Sequence, residues 1–563
     1  MSSRPRALII GIWGDPSRWQ LVEYAIPINE ILHKGIKNIA KGVYGDKLWK
    51  LRSRSSTLAI TCFYKGFMDV KTLIFGLDSI ANLSDNACKS DVRECARSIY
   101  RSLLARFVKE VAGENTEEDY VCSLEPGEEL SIELVVTPAR GSFAGYKFSG
   151  TPIHIFNVAF AKVLRAVEEF NPRFVIVDVT HGINYQTISV LHAAVAVAQL
   201  VNSLERLRSG NRKFDLIILN SEPYLQVAKQ KEIRQEQKAQ QVSTTQEGDD
   251  LLLSILDVTE LKKAVDFINT LSAILYLRLP PGRAVENEEL PREISESLRR
   301  LVVFVKIFEN SAIGITYPGS FDEDGKPLNL DICSMSLSTP LLDLDYKPVT
   351  DITKRVVTYD FASTAPVMLY TLSKVISGLQ QELCTEESKK HLRYYLYAAS
   401  KLLKRLGLEY AHQVVQVENT KWGLVEFAVT RLVTECRQGF EEIARRQSRD
   451  DVLSLITTRS GGDVVEISSE LLAVLRGFEQ EVVMESSCRS FVEEVLKKVN
   501  FFSVACRVED ENARNMYAHA GLSHNFMKGV KLLREDNVYR VAQLTYIKCL
   551  VENFLTRIAE EHI

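Results

Sequence analysis

An arginine and a histidine five residues apart, Arg514 and His519, stand in the segment Glu511-Asn512-Ala513-Arg514-Asn515-Met516-Tyr517-Ala518-His519-Ala520-Gly521 near the end of the chain. Cutting RNA without a metal requires one group to remove the 2′-hydroxyl proton, another to protonate the leaving oxygen, and a cation to steady the charged phosphorane. An imidazole and a guanidinium suit those roles, and no carboxylate or Cys/His cluster at ligand spacing accompanies them. The spacing by itself says little, because a chain with nine histidines offers a second match, Arg557 to His562, and a looser one, Arg405 to His412. The second match lies at the very end of the sequence, where fraying opposes a preorganised site. The looser one sits in the Leu-rich KLLKRLGLEYAH and reads as a core helix with a charged face. Five residues at ~100° each put Arg514 and His519 roughly 140° apart around an ideal helix. The pair therefore needs a helix start, or two copies meeting across a twofold axis, and a dimeric site is expected.

A second set of candidates follows apolar strands in the first 225 residues. In open α/β sheets, ligands bind beyond the carboxyl ends of the strands, where loops and helix N-termini present unpaired N–H groups. Gly11-Ile12-Trp13-Gly14-Asp15 offers two glycines and an aromatic face, without the third glycine of a dinucleotide fingerprint. Thr137-Pro138-Ala139-Arg140-Gly141-Ser142 combines a hydroxyl, the Arg140 guanidinium and a flexible backbone, which suits a phosphate or, equally, a polar surface loop. Asp178-Val179-Thr180-His181-Gly182 ends the apolar run RFVIVDV and leads through Asn184 and Gln186 into a helix. A capping side chain, an imidazole and a glycine at a strand end let an anionic or nucleotide ligand approach the backbone closely. The alternative is that Asp178 and His181 only satisfy backbone groups at a tight turn.

These residues need elements to hold them. Short β-rich runs (Ala7–Ile12, Thr72–Phe75, Ser131–Thr137, Phe174–Val179 and Phe214–Asn220) alternate with helical patterns at Asp85–Val111, Ile153–Phe170 and Asn184–Arg208. That alternation predicts a mostly parallel sheet covered on both faces, a Rossmann-like α/β domain over residues 1–225. Residues 226–250 are almost free of large apolar side chains and read as a solvated helix or flexible connector. From Leu251 to Ile563 amphipathic segments dominate (Leu251–Arg278, Leu290–Phe308, Thr364–Leu408, Trp422–Arg446, Ser468–Val499, Val508–Leu533, Val538–Glu561) and predict an all-α second half. Gly314–Phe361, rich in Pro, Asp, Ser and Thr, is expected to be a small β insertion within it. Its Asp322-Glu323-Asp324-Gly325 lacks the carboxylate spacing of a calcium loop and reads as a solvated turn.

The bulk numbers narrow the partners. A net charge of -4 over 563 residues argues against a protein that grips nucleic acid with its whole surface, since such binding is driven by clustered Lys and Arg. RNA contact must then be local. The ten cysteines form no Cys-x-x-Cys pair and read mostly as buried thiols. The apolar stretch after Arg4 and Arg6 stops at Gly14-Asp15-Pro16, which suits a strand and not a signal peptide, and no uninterrupted apolar run reaches the ~18 residues of a membrane helix. A cytoplasmic protein is expected.

Taken together, DVTHG at Asp178–Gly182 and RNMYAH at Arg514–His519 resemble the DxTHG-motif CRISPR-associated ribonucleases of type III systems, which join a CARF sensor domain to a helical HEPN nuclease domain. The resemblance implies a homodimer or higher homo-oligomer whose sensor binds a cyclic oligoadenylate, usually cyclic tetra-adenylate, across a CARF dimer. It implies no cofactor and no metal, with ligand binding activating cleavage of single-stranded RNA in antiviral defence. Arg514 and His519 would be catalytic with Asn515 supporting, and the ligand site would draw on Gly11, Trp13, Gly14, Asp15, Arg140, Asp178, Thr180, His181, Gly182 and Asn184. Two other readings stay open: a sensor fused to a DNA-binding module that regulates transcription, and a sensor domain that also cleaves its own cyclic ligand.

Overall fold

The computed structural model describes residues 4–83, 86–114, 132–221, 252–257, 292–309, 311–336, 346–359, 365–436, 464–468, 471–472, 475–476, 486–499, 516, 518–523 and 526–562. Arg514, Asn515 and the connector 226–250 lie outside them. The described chain opens with β1 (Arg6–Ile12), β2 (Val22–Pro27), α1 (Lys34–Tyr44), β3 (Leu48–Ser53), α2 (Ser56–Lys65), β4 (Asp69–Leu77), α3 (Asn86–Ser90) and α4 (Val92–Glu114). It continues with β5 (Ile132–Thr137), β6 (Arg140–Phe143), β7 (Tyr146–Ser149), α5 (Pro152–Phe170), β8 (Phe174–Asp178), α6 (Asn184–Ser209), β9 (Asp215–Ser221) and β10 (Leu252–Asp257). Then come α7 (Arg292–Glu309), β11 (Ser320–Asp322), β12 (Pro348–Asp351), β13 (Val356–Tyr359), α8 (Ala365–Leu383), α9 (Glu386–Lys390), α10 (Leu392–Leu406) and α11 (Glu409–Glu435). β14 (Val464–Ser468), α12 (Ser486–Lys498), β15 (Met527–Glu535), β16 (Val538–Tyr546) and α13 (Lys548–His562) complete it.

The chain divides into two compact units, the first made of Met1–Ser203, Arg212–Thr270 and Leu341–Val367. Its main sheet has the order β3-β2-β10-β9-β8-β1-β4-β5. The five strands β9, β8, β1, β4 and β5 are mutually parallel. They are the five that apolar runs predict, because a parallel strand covered on both faces needs apolar side chains at successive positions. Ala7 to Ile10 and Phe174 to Asp178 are all buried. Missing from the expectation are β2, β10 and β3, which extend one edge: β10 is antiparallel to β9, β2 is parallel to β10, and β3 is antiparallel to β2. β3 therefore returns to the direction of the central five, and its carboxyl end falls on the same edge as theirs. Helix α6 has the length and mean hydropathy of a membrane span, yet Val190, Ala193, Ala194 and Val197 along it are buried inside the protein.

The second unit, Leu204–Asn211, Leu271–Pro340 and Met368–Ile563, is not all-α. It contains a four-stranded sheet, β11-β16-β15-β14, beside helices α10, α11 and α12. The expected helices Val508–Leu533 and Val538–Glu561 are corrected where they are described: Met527–Glu535 and Val538–Tyr546 form an antiparallel hairpin before α13 begins. The two-residue turn Asp536-Asn537 has positive φ at both positions (46° and 63°), the geometry that matches the twist of a tight hairpin. Leu252–Asp257, expected to open a helix, instead forms β10 in the first unit's sheet. The Gly314–Phe361 segment is no single insertion either. β11 joins the second unit, whereas β12 and β13 pair with β7 and β6 in a small sheet of the first.

The cysteines also differ from expectation. Cys88–Cys95, Cys333–Cys384 and Cys436–Cys488 are disulfides, and Cys62 and Cys549 are likewise disulfide-bonded. Sequence spacing cannot reveal such pairs, because Cα atoms within the 5–6 Å a bridge needs come from residues 51 and 52 apart in two of the three.

Candidate functional site

At the carboxyl edge of the first unit's sheet lies a cleft of about 630 Å³, in the range of small-molecule sites. Its walls are the start of β2 with the loop before it (Arg18, Trp19, Gln20, Val22, Tyr24), Arg54 after β3, the loop from Val179 to Asn184, the first turn of α6, and the end of β9. Of the expected ligand residues, Thr180, His181, Gly182 and Asn184 line it.

Asp178 does not. It is fully buried, and its Oδ2 accepts hydrogen bonds from Ser56 Oγ and Thr57 Oγ1, both at 2.7 Å, while Oδ1 accepts from Thr180 N–H at 3.1 Å. A carboxylate so placed costs desolvation and recovers it through three donors. It pins the start of α2 to the end of β8. Thr180 Oγ1 in turn accepts from Ser221 N–H at 3.0 Å, tying the loop to β9.

His181 is one of the lining side chains. Its ring stacks on Trp19 with centroids 4.1 Å apart, and Nε2 lies 2.9 Å from Tyr24 OH and 3.5 Å from Ser56 N–H. The backbone donor makes Nε2 an acceptor, which places the ring proton on Nδ1. Burial pushes the imidazole below its ordinary pKa, opposed by nearby Asp178. Gly182 is required by space, since a Cβ there would sit 2.3 Å from Thr187 Oγ1. Two guanidiniums, Arg18 and Arg54, line the cleft, with no carboxylate among the described lining residues. Arg54 is held by Glu110 at 2.8 Å and by Trp19 O at 2.6 Å. A flat aromatic surface, a neutral imidazole and two cations form a cradle for a ligand with both bases and phosphates.

The remaining expected ligand residues are placed elsewhere for packing reasons. Gly11 is where α2 presses on β1, and a Cβ would meet Thr57 Cγ2 at 2.3 Å. Trp13 is wholly buried with its Nε1 on Thr57 Oγ1 at 3.3 Å. Gly14 O accepts from Tyr100 OH, and Asp15 caps the turn Pro16–Arg18 by accepting from Ser17 N–H. Arg140 donates to Gly150 O at 3.3 Å, and its backbone N–H binds Tyr185 OH. Sequence reasoning missed Arg18, Trp19, Tyr24 and Arg54. The hydroxyl run Ser53-Arg54-Ser55-Ser56-Thr57, whose Ser55 caps α2, is the signal that marks this edge.

In the second unit, Met516 and Ala518 are helical and His519 occupies the turn that follows, rather than a helix interior. Ala520 and Gly521 both have positive φ, 51° and 75°. The turn is locked: Gly314 N–H donates to Ala520 O at 2.6 Å, Tyr546 OH to Gly521 O at 2.9 Å, and a Cβ on Gly521 would meet Ala312 O at 2.5 Å. His519 is about half exposed (46%) and its Nδ1 lies 2.9 Å from Oε1 of Glu418, which is 3% exposed on α11. Lys421, one turn on, stands 3.3 Å from Oε2. Glu418 was not expected from the sequence, although it interrupts the apolar face that Val415, Trp422 and Val425 form on α11. The looser match resolves into structure: His412 is buried against Ser400 Oγ at 2.9 Å, and Arg405 pairs with Glu382.

A mostly parallel sheet with a cleft at its carboxyl edge makes the first unit an open α/β domain. Residues 8–223 match the family model of the CARF domain of the CRISPR system endoribonuclease Csx1. No curated protein matches the chain significantly.

Proposed function

We propose that the chain is a ribonuclease of a type III CRISPR system, switched on when its CARF domain binds a cyclic oligoadenylate, and that its second unit is a HEPN nuclease domain cleaving single-stranded RNA without metal. The observation that carries the reading is the cleft at the sheet's carboxyl edge within the CARF region, with Trp19 and His181 for a base and Arg18 and Arg54 for phosphates. His519, exposed on a locked turn and backed by a buried carboxylate, supports the nuclease half. The partner cation is Arg514, with Asn515 assisting.

A homodimer fits the exposed Tyr410, Val417 and Leu424, which recur every seven residues on α11. The test is cleavage of a fluorescent single-stranded RNA in EDTA, with and without each cyclic oligoadenylate, paired with sedimentation to read the oligomeric state. Cleavage that appears only with one ring size supports the reading. Salt-dependent binding to duplex DNA with no loss of RNA overturns it in favour of a transcriptional regulator.

A further inference from the structure

We propose that Glu418 is a positioning residue for His519, fixing its tautomer and ring plane so that Nε2 serves as the base in RNA cleavage; this rests on the nuclease reading above. The carboxylate is 3% exposed and accepts from Nδ1 at 2.9 Å, so the ring proton resides on Nδ1. Among the described residues no group is bonded to Nε2. It is therefore left with its lone pair on the half-exposed ring. In the cleavage step Nε2 takes the proton of a ribose 2′-hydroxyl while the 2′-oxygen bonds to phosphorus. The bond from phosphorus to the 5′-oxygen breaks, that oxygen takes a proton from water, and the imidazolium returns its proton to solvent. The products are a 2′,3′-cyclic phosphate and a 5′-hydroxyl. As the imidazolium forms, the adjacent carboxylate stabilises its charge.

The surroundings argue against Glu418 as a mere strut. It lies on the buried face of α11 with Val415, Trp422 and Val425. A buried ion pair there adds little stability over an apolar residue of the same volume, because desolvating both charges offsets their attraction. Lys421 at 3.3 Å from Oε2 compensates the charge without reaching for the oxygen that His519 uses. The turn that carries His519 is fixed by Gly314 N–H donating to Ala520 O and by Tyr546 OH donating to Gly521 O, with Gly521 packed closely against the Ala312 carbonyl, so the dyad is not what holds the turn.

Two measurements on the full chain test the inference. Long-range ¹H–¹⁵N spectra of ¹⁵N-histidine-labelled protein, with His519 assigned by its loss in His519→Gln, should show the Nδ1–H tautomer. Finding Nε2–H in the wild type overturns the proposal and needs no variant to fold. Glu418→Gln keeps the shape; Lys421, a donor only, holds the amide oxygen at the Oε2 position, so the NH2 faces Nδ1, donates to it and moves the ring proton onto Nε2. Its kcat should fall roughly 10²–10⁴-fold, with the KM for RNA and the affinity for cyclic oligoadenylate unchanged. Wild-type cleavage by Glu418→Gln beside an inactive His519→Ala overturns the positioning role alone. Undiminished cleavage by His519→Ala overturns the nuclease reading itself.

Discussion

The cleft at the carboxyl edge of the first unit's sheet and the turn bearing His519 solve different problems with opposite distributions of residues. The cleft draws its walls from sequence positions as far apart as Arg18, Arg54, Thr180 and Ser221, on loops and strand ends at one edge of the sheet. At the turn, one half-exposed side chain rests on one buried carboxylate, and two hydrogen bonds from Gly314 N–H and Tyr546 OH fix the peptide beneath it. Recognition spread over many groups loses affinity in steps. Chemistry concentrated on one group is lost all at once.

The largest expected effect follows directly. His519→Ala should reduce RNA cleavage by at least about 10²–10⁴-fold, the usual worth of a positioned general base, while labelled cyclic oligoadenylate still binds with wild-type affinity. A parallel loss of ligand binding would mean that the two regions are not separable as described.

Next in size is the effect of the disulfides. Of the bridges with both cysteines described, the two that close long loops, Cys333–Cys384 and Cys436–Cys488, lie in the second unit, and the short Cys88–Cys95 loop lies in the first. Loop entropy assigns about 4 kcal/mol to each long bridge. Cys436→Ser with Cys488→Ser should therefore lower the unfolding free energy by about that amount, read by denaturant titration of fluorescence. Cleavage should fail at lower denaturant than ligand binding does. Coincident loss of both activities would break the comparison.

Within the cleft, graded effects are expected. Trp19→Ala removes the surface stacked on His181 and should weaken cyclic oligoadenylate binding roughly 10–100-fold, the worth of one base–aromatic stack. Arg140→Ala, outside the cleft, should leave the affinity within about 2-fold. Isothermal titration of both variants decides between the cleft and the broader site that the sequence suggests.

How much of this was legible in the sequence depends on what the chain had to signal. The five parallel strands announce themselves because both faces are covered, so RALIIGI and FVIVD are almost uninterrupted apolar runs. β16 was read as helix because VYRVAQLTY mixes helix-forming Ala, Gln and Leu with its β-branched residues. Yet Tyr539, Val541, Leu544 and Tyr546 are buried on one side of it, and the Asp536-Asn537 turn beside it was a readable hairpin signal. Asp178 was found but misassigned, since an acidic residue at a strand end looks the same whether it faces a ligand or holds a neighbouring helix. What separates the two cases is the pair of hydroxyls at Ser56 and Thr57, brought there only by folding.

The smallest effect concerns pH, and it distinguishes the two regions by the kind of carboxylate each buries. Glu418 faces an imidazole and a lysine. Asp78, fully buried after β4, faces mainly neutral donors: Ala139 N–H at 2.8 Å and Tyr359 OH at 2.9 Å, with Arg93 as a weaker, more distant influence and Tyr100 and Tyr185 nearby. Burial pushes its pKa up from 3.8 to about 7. The sign is fixed by linkage: the folded state binds the proton more tightly than the unfolded chain. The stability from Asp78 is thus present in full below pH 3.8, declines as pH rises, and is gone above about 7. His181 has the opposite sign, because its lowered pKa gives stability above the unfolded value that is lost as pH falls through the folded one. The wild-type profile alone mixes the two. Asp78→Asn isolates the first, since an amide keeps an acceptor for Ala139 and a partner for the Tyr359 hydroxyl but cannot ionise. The melting temperature of Asp78→Asn minus that of the wild type should therefore be higher at pH 8 than at pH 5, by a few degrees. A difference that is flat or reversed between the two pH values would show that Asp78 is charged in the folded protein throughout, held by Arg93 rather than neutralised by burial.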